Sequence, residues 1–226
     1  MSFFNRKLTA SRYLNIIKNK NLKFSKSFIL KNTSAFIGDS ALFKLLFCFE
    51  MINKTKNING DIIEFGVWNG NNLLAIKKII DYFNLKKKVF GYDHFKGMPL
   101  HTEDRNRNSF VGNIKVTKYF INFFRLKKIK LINDNFFNLK KHLEKFNKFS
   151  IIYIDCDIYE TTKIILDYCS PKLSKGGLIV FDEGNQKKGS GETKAAREFL
   201  RKNKKNYKRV LLKNGYQPDI YFKKIL

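Results

Sequence analysis

Four carboxylates stand in two short clusters with matching surroundings. The run IIYIDCDIY ends in Asp155 and Asp157, and the run GLIVFDEGN carries Asp182 and Glu183. Each cluster closes an apolar, β-branched stretch of the kind that forms a buried parallel strand. If the two strands are neighbours, the acids meet at one edge of the sheet, where α/β proteins bind ligands. Carboxylates gathered in one place repel each other unless a cation or a shared proton neutralises them. Hard oxygen donors suit Mg²⁺, Mn²⁺ or Ca²⁺, with Mg²⁺ the usual choice when waters complete an octahedron. The pattern therefore predicts a metal site built from Asp155, Asp157, Asp182 and Glu183. The structural alternative is capping, since Asp157 could cap a helix starting near Tyr159. Capping accounts for one acid more readily than for four.

A second constellation lies upstream. In GDIIEFGVWNGNN, residues 60–72, an apolar run ends in Glu64, and Gly66 and Gly70 then open a helical pattern. The next apolar run, KVFGYDHF, carries Asp93 about one βαβ unit later. Glycines let the backbone approach a ligand closely, and an acid ending the following strand can take a pair of ribose hydroxyls. Val67, Trp68 and Asn69 separate the two glycines, so the spacing is not that of a pyrophosphate-cradling GxGxxG turn. The arrangement favours an adenosyl ligand without phosphates over a dinucleotide. Trp68 falls with these residues on the ligand side, as packing rather than as a catalytic group.

Strands at 61–65, 88–92, 129–133, 150–155 and 177–181 are expected to position these groups. Helical patterns near 71–84, 113–126, 137–146, 159–169 and 192–203 alternate with them. That alternation predicts an α/β fold, a mostly parallel twisted sheet with helices on both faces. The tail, YKRVLLKNGYQPDIYFKKIL, reads as an antiparallel edge pair around an Asn-Gly turn. Ahead of the first strand, Phe43, Leu46, Phe47 and Met51 mark an apolar helical stripe. Residues 1–35 read as an N-terminal helical appendage to a domain spanning 36–226. The polar, irregular segment 97–112 is the kind of loop that covers a site.

Bulk properties narrow the classes. A chain of 226 residues suits one well-buried domain. No apolar stretch approaches the ~20 residues of a membrane span, no secretory leader is legible, and three cysteines without CxxC spacing suit a reducing cytoplasm. The net charge of +26 would normally direct attention to nucleic acid or another polyanion. The lysines are scattered, however, and accompany abundant Asn, Ile and Phe, as in a composition drifting with an AT-rich genome. Solvated lysine faces are the first reading, and a phosphate-bearing substrate the second.

Together GDIIEFGVWNGNN, YDHFKGMP, IIYIDCDIYETTK and KGGLIVFDEGN, with KAAREF downstream, resemble the macrocin O-methyltransferase family from about residue 35 to 205. The resemblance implies a Rossmann-like class I fold, S-adenosylmethionine as cofactor, Mg²⁺ dependence, a sugar hydroxyl as acceptor and homo-oligomers. Carried onto this chain, it puts Glu64 and Gly66 at the methionine end of the cofactor, with Gly70 and Trp68 in the same turn. Asp93 would hold the ribose, and Asn133 and Asp134 would lie near the adenine. Asp155, Asp182 and Glu183 would hold the metal, with Asp157 as ligand or general base. The family commonly shows two aspartates where this chain has Asp182 and Glu183. His94 and His101 are alternative bases, and His142 is expected at the surface. The expected acceptor is a nucleotide-linked sugar or a surface-glycan precursor. The rival readings are an RNA methyltransferase, against which no basic-aromatic element or RNA module is found, and a non-catalytic glycan-assembly partner.

Overall fold

A computed structural model of the chain describes residues 24–98, 110–186, 190–212 and 217–226. Among them, α1 (Lys26–Lys31) and α2 (Thr33–Phe36) precede the long α3 (Asp39–Thr55). There follow β1 (Asp61–Phe65), α4 (Asn71–Tyr82), β2 (Val89–Asp93), α5 (Ile114–Phe123) and β3 (Ile129–Asn133). A 3₁₀ segment (Phe136–Lys145) leads into β4 (Phe149–Ile154), α6 (Tyr159–Cys169), β5 (Leu173–Phe181), α7 (Gly191–Asn203), β6 (Tyr207–Leu211) and β7 (Ile220–Lys224). The segment expected to be an α-helix at 137–146 is therefore the tighter 3₁₀ form.

The seven strands form one sheet in the order β3-β2-β1-β4-β5-β7-β6. Neighbouring strands from β3 through β5 run parallel, and β7 runs antiparallel to both β5 and β6. The edge pair is thus as expected, while its Asn-Gly turn lies outside the described residues. So do residues 1–23, His101 and most of the 97–112 loop.

Each face of the sheet is covered. One apolar cluster joins Phe47, Cys48, Met51 and Ile52 of α3 and Leu73, Ile76 and Ile80 of α4 to Ile62, Ile151, Tyr153, Leu178 and Val180. The other joins Ile165 and Leu166 of α6 and Ala195 and Ala196 of α7 to Ile63, Phe65, Ile152, Ile154, Ile179 and Phe181. Alternate strand residues go to opposite faces, as the period of 2 requires. The stripe on α3 is rotated from expectation: Leu46 is exposed, and Cys48 and Ile52 are buried in its stead. Cys48, Cys156 and Cys169 are free, buried thiols. Among the described residues no helix is long and apolar enough to cross a membrane.

Candidate functional site

The order β3-β2-β1-β4-β5 places the largest change of direction between β1 and β4, and a cavity of about 370 Å³ opens beside their C-terminal ends. Its walls include Gly66, Trp68 and Asp93 on one side and Asp155, Asp157 and Asp182 on the other. Its volume lies in the range of small-molecule sites. Aromatic side chains from three separate segments, Trp68, Phe110, Phe136 and Phe137, supply much of the apolar lining.

Strand alternation decides which acids meet. Tyr153 and Val180 face α3 and α4, so Asp155 and Asp182, two positions on, continue toward the same helices. Lys44 lies one helical turn before Cys48 on α3, with its side chain aimed at the same place. Its Nζ sits 3.3 Å from Asp155 Oδ2 and 2.9 Å from Asp182 Oδ1. The Tyr153 hydroxyl donates to Asp182 Oδ1 at 2.7 Å. Burial alone would lower the Lys44 pKa, but the Asp155 and Asp182 carboxylates outweigh it and hold the ammonium charged. Burial, with the neighbouring Asp182 charge, pushes Asp155 up to about 7, against the pull of Lys44.

Glu183, next in sequence, faces another way: its Oε1 accepts from Gln217 Nε2 at 2.6 Å. Glu192, at the start of α7, is fully buried and passes between the two acidic loops. It accepts from the backbone N–H of Glu183 at 2.8 Å, of Cys156 at 3.2 Å and of Asp157 at 3.4 Å. One side chain thereby ties the ends of β4 and β5 together. Asp157 occupies a left-handed conformation, φ 58°. The N-cap position of α6 is Ile158, not Asp157.

On the other wall, Asp93 organises the turn after β1. Its Oδ2 accepts from the N–H of Val67 and of Trp68, both at 2.8 Å, and its Oδ1 accepts from Phe95 at 2.7 Å. Burial would raise its pKa, but hydrogen bonds from His94, Phe95, Trp68 and Val67 hold it below the ordinary value. The two glycines answer to packing. A Cβ on Gly66 would stand 1.8 Å from the Asp155 carbonyl oxygen, and one on Gly70 would stand 2.5 Å from Thr117 Cγ2. Both also have positive φ, 87° and 84°.

The predicted cofactor residues divide. Gly66, Trp68 and Asp93 line the cavity, whereas Glu64 does not. Glu64 follows Ile62 onto the α3–α4 face, where its Oε1 accepts from Asn72 Nδ2 at 2.8 Å and its Oε2 is left without a partner. Burial drives its pKa up to about 8. Asn133 is exposed at the end of β3, and Asp134 turns to His142 and Asn138, at 2.7 and 2.8 Å. His142 is accordingly not a bare surface residue: it bonds Asp134 and sets its ring edge on Tyr92. The neighbours Asn135, Phe136 and Phe137 line the cavity where Asn133 and Asp134 were expected. Tyr159 packs against the core, its hydroxyl donating to Glu198 at 2.6 Å. His94 lines the cavity.

The expected metal ligands do not assemble. Asp155 and Asp182 converge on an ammonium, Glu183 is turned toward Gln217, and among the described residues no three His, Cys, Asp or Glu side chains are grouped to hold a metal ion. A dication beside Lys44 would meet a like charge at close range. Sequence reasoning missed Lys44 and Glu192. A lysine on the buried stripe of α3 was the available signal for the first.

Residues 31–211 match the family model described as macrocin-O-methyltransferase. The chain is 24% identical over 160 residues to the 8-demethyl-8-(2,3-dimethoxy-alpha-L-rhamnosyl)-tetracenomycin-C 4'-O-methyltransferase of Streptomyces olivaceus, covering 65% of this chain and 61% of that protein. It is 26% identical over 165 residues to the demethyldecarbamoylnovobiocin O-methyltransferase of Streptomyces niveus, covering 67% and 63%. The chain thus spans less than two thirds of the length of these relatives. The crystal structure of the calicheamicin methyltransferase CalS11 superposes with a TM-score of 0.74 at 18% identity, over 95% of this chain and 90% of that one. With the strand order, that likeness makes the fold a Rossmann-like class I methyltransferase fold.

Proposed function

Because the chain belongs to the macrocin O-methyltransferase family, we propose that it is an enzyme, an S-adenosylmethionine-dependent O-methyltransferase acting on a sugar hydroxyl. The observation that carries this reading is the cavity at the β1–β4 strand ends, with Asp93 on one wall and the acids on the other. An adenosyl group suits the first wall. Trp68, Phe136 and Phe137 offer apolar surface for a base, and Asp93 and Asn135 offer polar atoms for a ribose. Gly66, bare of side chain, lets the ends of β1 and β4 approach closely at the edge of the cavity. Glu64 acts from beneath, bracing the first turn of α4 through Asn72.

The bound cofactor supplies a methyl group already activated on a sulfonium centre. The chain's part is to fix the acceptor oxygen in line with it and to receive a proton. Asp157 lines the cavity wall and is the proton acceptor in this reading. Of the residues expected to hold Mg²⁺, Asp155 and Asp182 are held by the Lys44 ammonium and Glu183 by Gln217.

The acceptor proposed is a sugar carried on a phosphate-bearing group, either a nucleotide-linked sugar or a glycan precursor. The charge of +26 supports that choice. The free cysteines support a reducing, cytoplasmic setting. A homo-oligomer completes the proposal and is read by light scattering. Calorimetric titration of S-adenosylhomocysteine tests the reading: micromolar binding supports it, and no binding removes it. RNA binding that weakens steeply with salt would move the acceptor to RNA.

A further inference from the structure

We infer that Lys44 is the resident cation of this site, so that the acceptor end of the cavity works with a fixed ammonium in place of a divalent metal. The chemistry rests on the methyltransferase reading above; the geometry does not. Lys44 is anchored on α3 one turn before Cys48, in the row that packs on the sheet. The carboxylates it meets arrive by strand alternation from β4 and β5. Its Nζ lies 3.3 Å from one and 2.9 Å from the other, and 5.6 Å from the centre of the Tyr153 ring. Three independent elements therefore bring one positive charge between two negative ones.

The placement has chemical content. An ammonium carries three N–H donors, of which Asp155 and Asp182 account for two. Lys44 also lines the cavity, and its remaining donor is the one assigned to a ligand there. A donor there stabilises negative charge as it develops on the acceptor oxygen. In the balanced step, the acceptor O–H passes its proton to the Asp157 carboxylate as the oxygen forms its bond to the methyl carbon. The C–S bond breaks and its electron pair stays on sulfur. No metal is needed to complete the charge balance. Glu183 is not required as a ligand, in keeping with its bond to Gln217.

Mn²⁺ titrated into the full-length chain, followed by electron paramagnetic resonance, tests the assignment. The wild-type protein is expected to take up no more Mn²⁺ than Asp182→Asn does. Lys44→Ala is expected to gain one site at least tenfold tighter, which adding Asp182→Asn removes. Stoichiometric Mn²⁺ in the wild type that Asp182→Asn abolishes would overturn the inference, and so would a Lys44→Ala protein that gains nothing. If Lys44→Ala does not fold, the wild-type and Asp182→Asn comparison decides, because it requires no change at Lys44. Titration of S-adenosylhomocysteine into the same samples keeps the two readings apart. Absent cofactor binding with the Mn²⁺ pattern intact fails the methyltransferase reading and leaves the resident cation standing.

Discussion

The Tyr153 hydroxyl and the Asp182 carboxylate are bonded at 2.7 Å, and the oxygen they share is the one that meets Lys44. Tyr153 is fully buried and belongs to the core between the sheet and α3. Its ring packs while its hydroxyl steers Asp182. Tyr153→Phe keeps the ring and removes one donor. The expected cost is about 1–2 kcal/mol in denaturant unfolding, with S-adenosylhomocysteine affinity unchanged. A much larger loss would mean that the hydroxyl supports more than this one carboxylate.

Asp93 accepts three backbone N–H bonds, two of them on a single oxygen. Asp93→Asn replaces one acceptor oxygen with an NH₂ group and leaves at least one of those donors unmet. Stability should fall by about 1–3 kcal/mol, and S-adenosylhomocysteine should bind at least tenfold more weakly. Unfolding curves and calorimetry read the two effects separately. Weakened unfolding with unchanged affinity would confine Asp93 to shaping the turn.

Glu64 has an ordinary value of 4.5 and is pushed up to about 8 by burial. The folded state therefore binds its proton more tightly than the unfolded chain does. With more protons bound when folded, stability falls as pH rises from about 4.5 toward 8. Glu64→Gln keeps an acceptor for Asn72 and removes the titration. Its melting temperature should exceed that of the wild type by a margin that grows between about pH 4.5 and 8 and levels off above, reaching the equivalent of a few kcal/mol. Parallel melting curves across pH 5–9 would count against a buried, protonated Glu64.

Gly66→Ala drives a methyl group into the Asp155 carbonyl at a position whose φ is already 87°. The loss should reach about 3 kcal/mol or more, because backbone rather than a side-chain tip must move. A soluble variant should also lose cofactor binding, since the turn that carries Gly66 and Trp68 along the cavity must shift. Near-normal melting would show that the β1 and β4 ends part easily.

The strands were legible because each is a short apolar run bounded by polar residues, and a parallel sheet buries such runs on both faces. The strand-end acids were legible for the same reason. What escaped was the direction of their side chains. Asp182 and Glu183 are adjacent in sequence, so alternation sends one toward Lys44 and leaves the other to Gln217. A count of acids treats them as a pair, whereas the pleat treats them as opposites. Lys44 escaped because the expected stripe on its helix ran through Leu46, whereas the buried row runs through Cys48 and Ile52, one and two turns after Lys44. Glu192 follows a polar stretch at the head of a helical pattern, where an acid is ordinary. Its depth depends on Gly191, where a Cβ would stand 2.4 Å from the Tyr159 nitrogen. Asn133 and Asp134 missed the cavity by one or two residues, and the 3₁₀ start at Phe136 turns their neighbours inward instead.

Glu192 fastens the β4 and β5 ends to one buried carboxylate, so the acidic wall of the cavity cannot be remodelled one loop at a time. A change at Cys156, Asp157 or Glu183 is transmitted to the other loop through the shared anchor. On the facing wall Asp93 fixes the backbone of the turn, but the aromatic side chains of Trp68, Phe110 and Phe137 are exposed and come from separate segments. Evolutionary change in ligand shape would therefore accumulate on the aromatic side, while the charged side persists as an inherited block. Libraries intended to alter what this cavity accepts should vary those three positions and leave Glu192 and its partners alone.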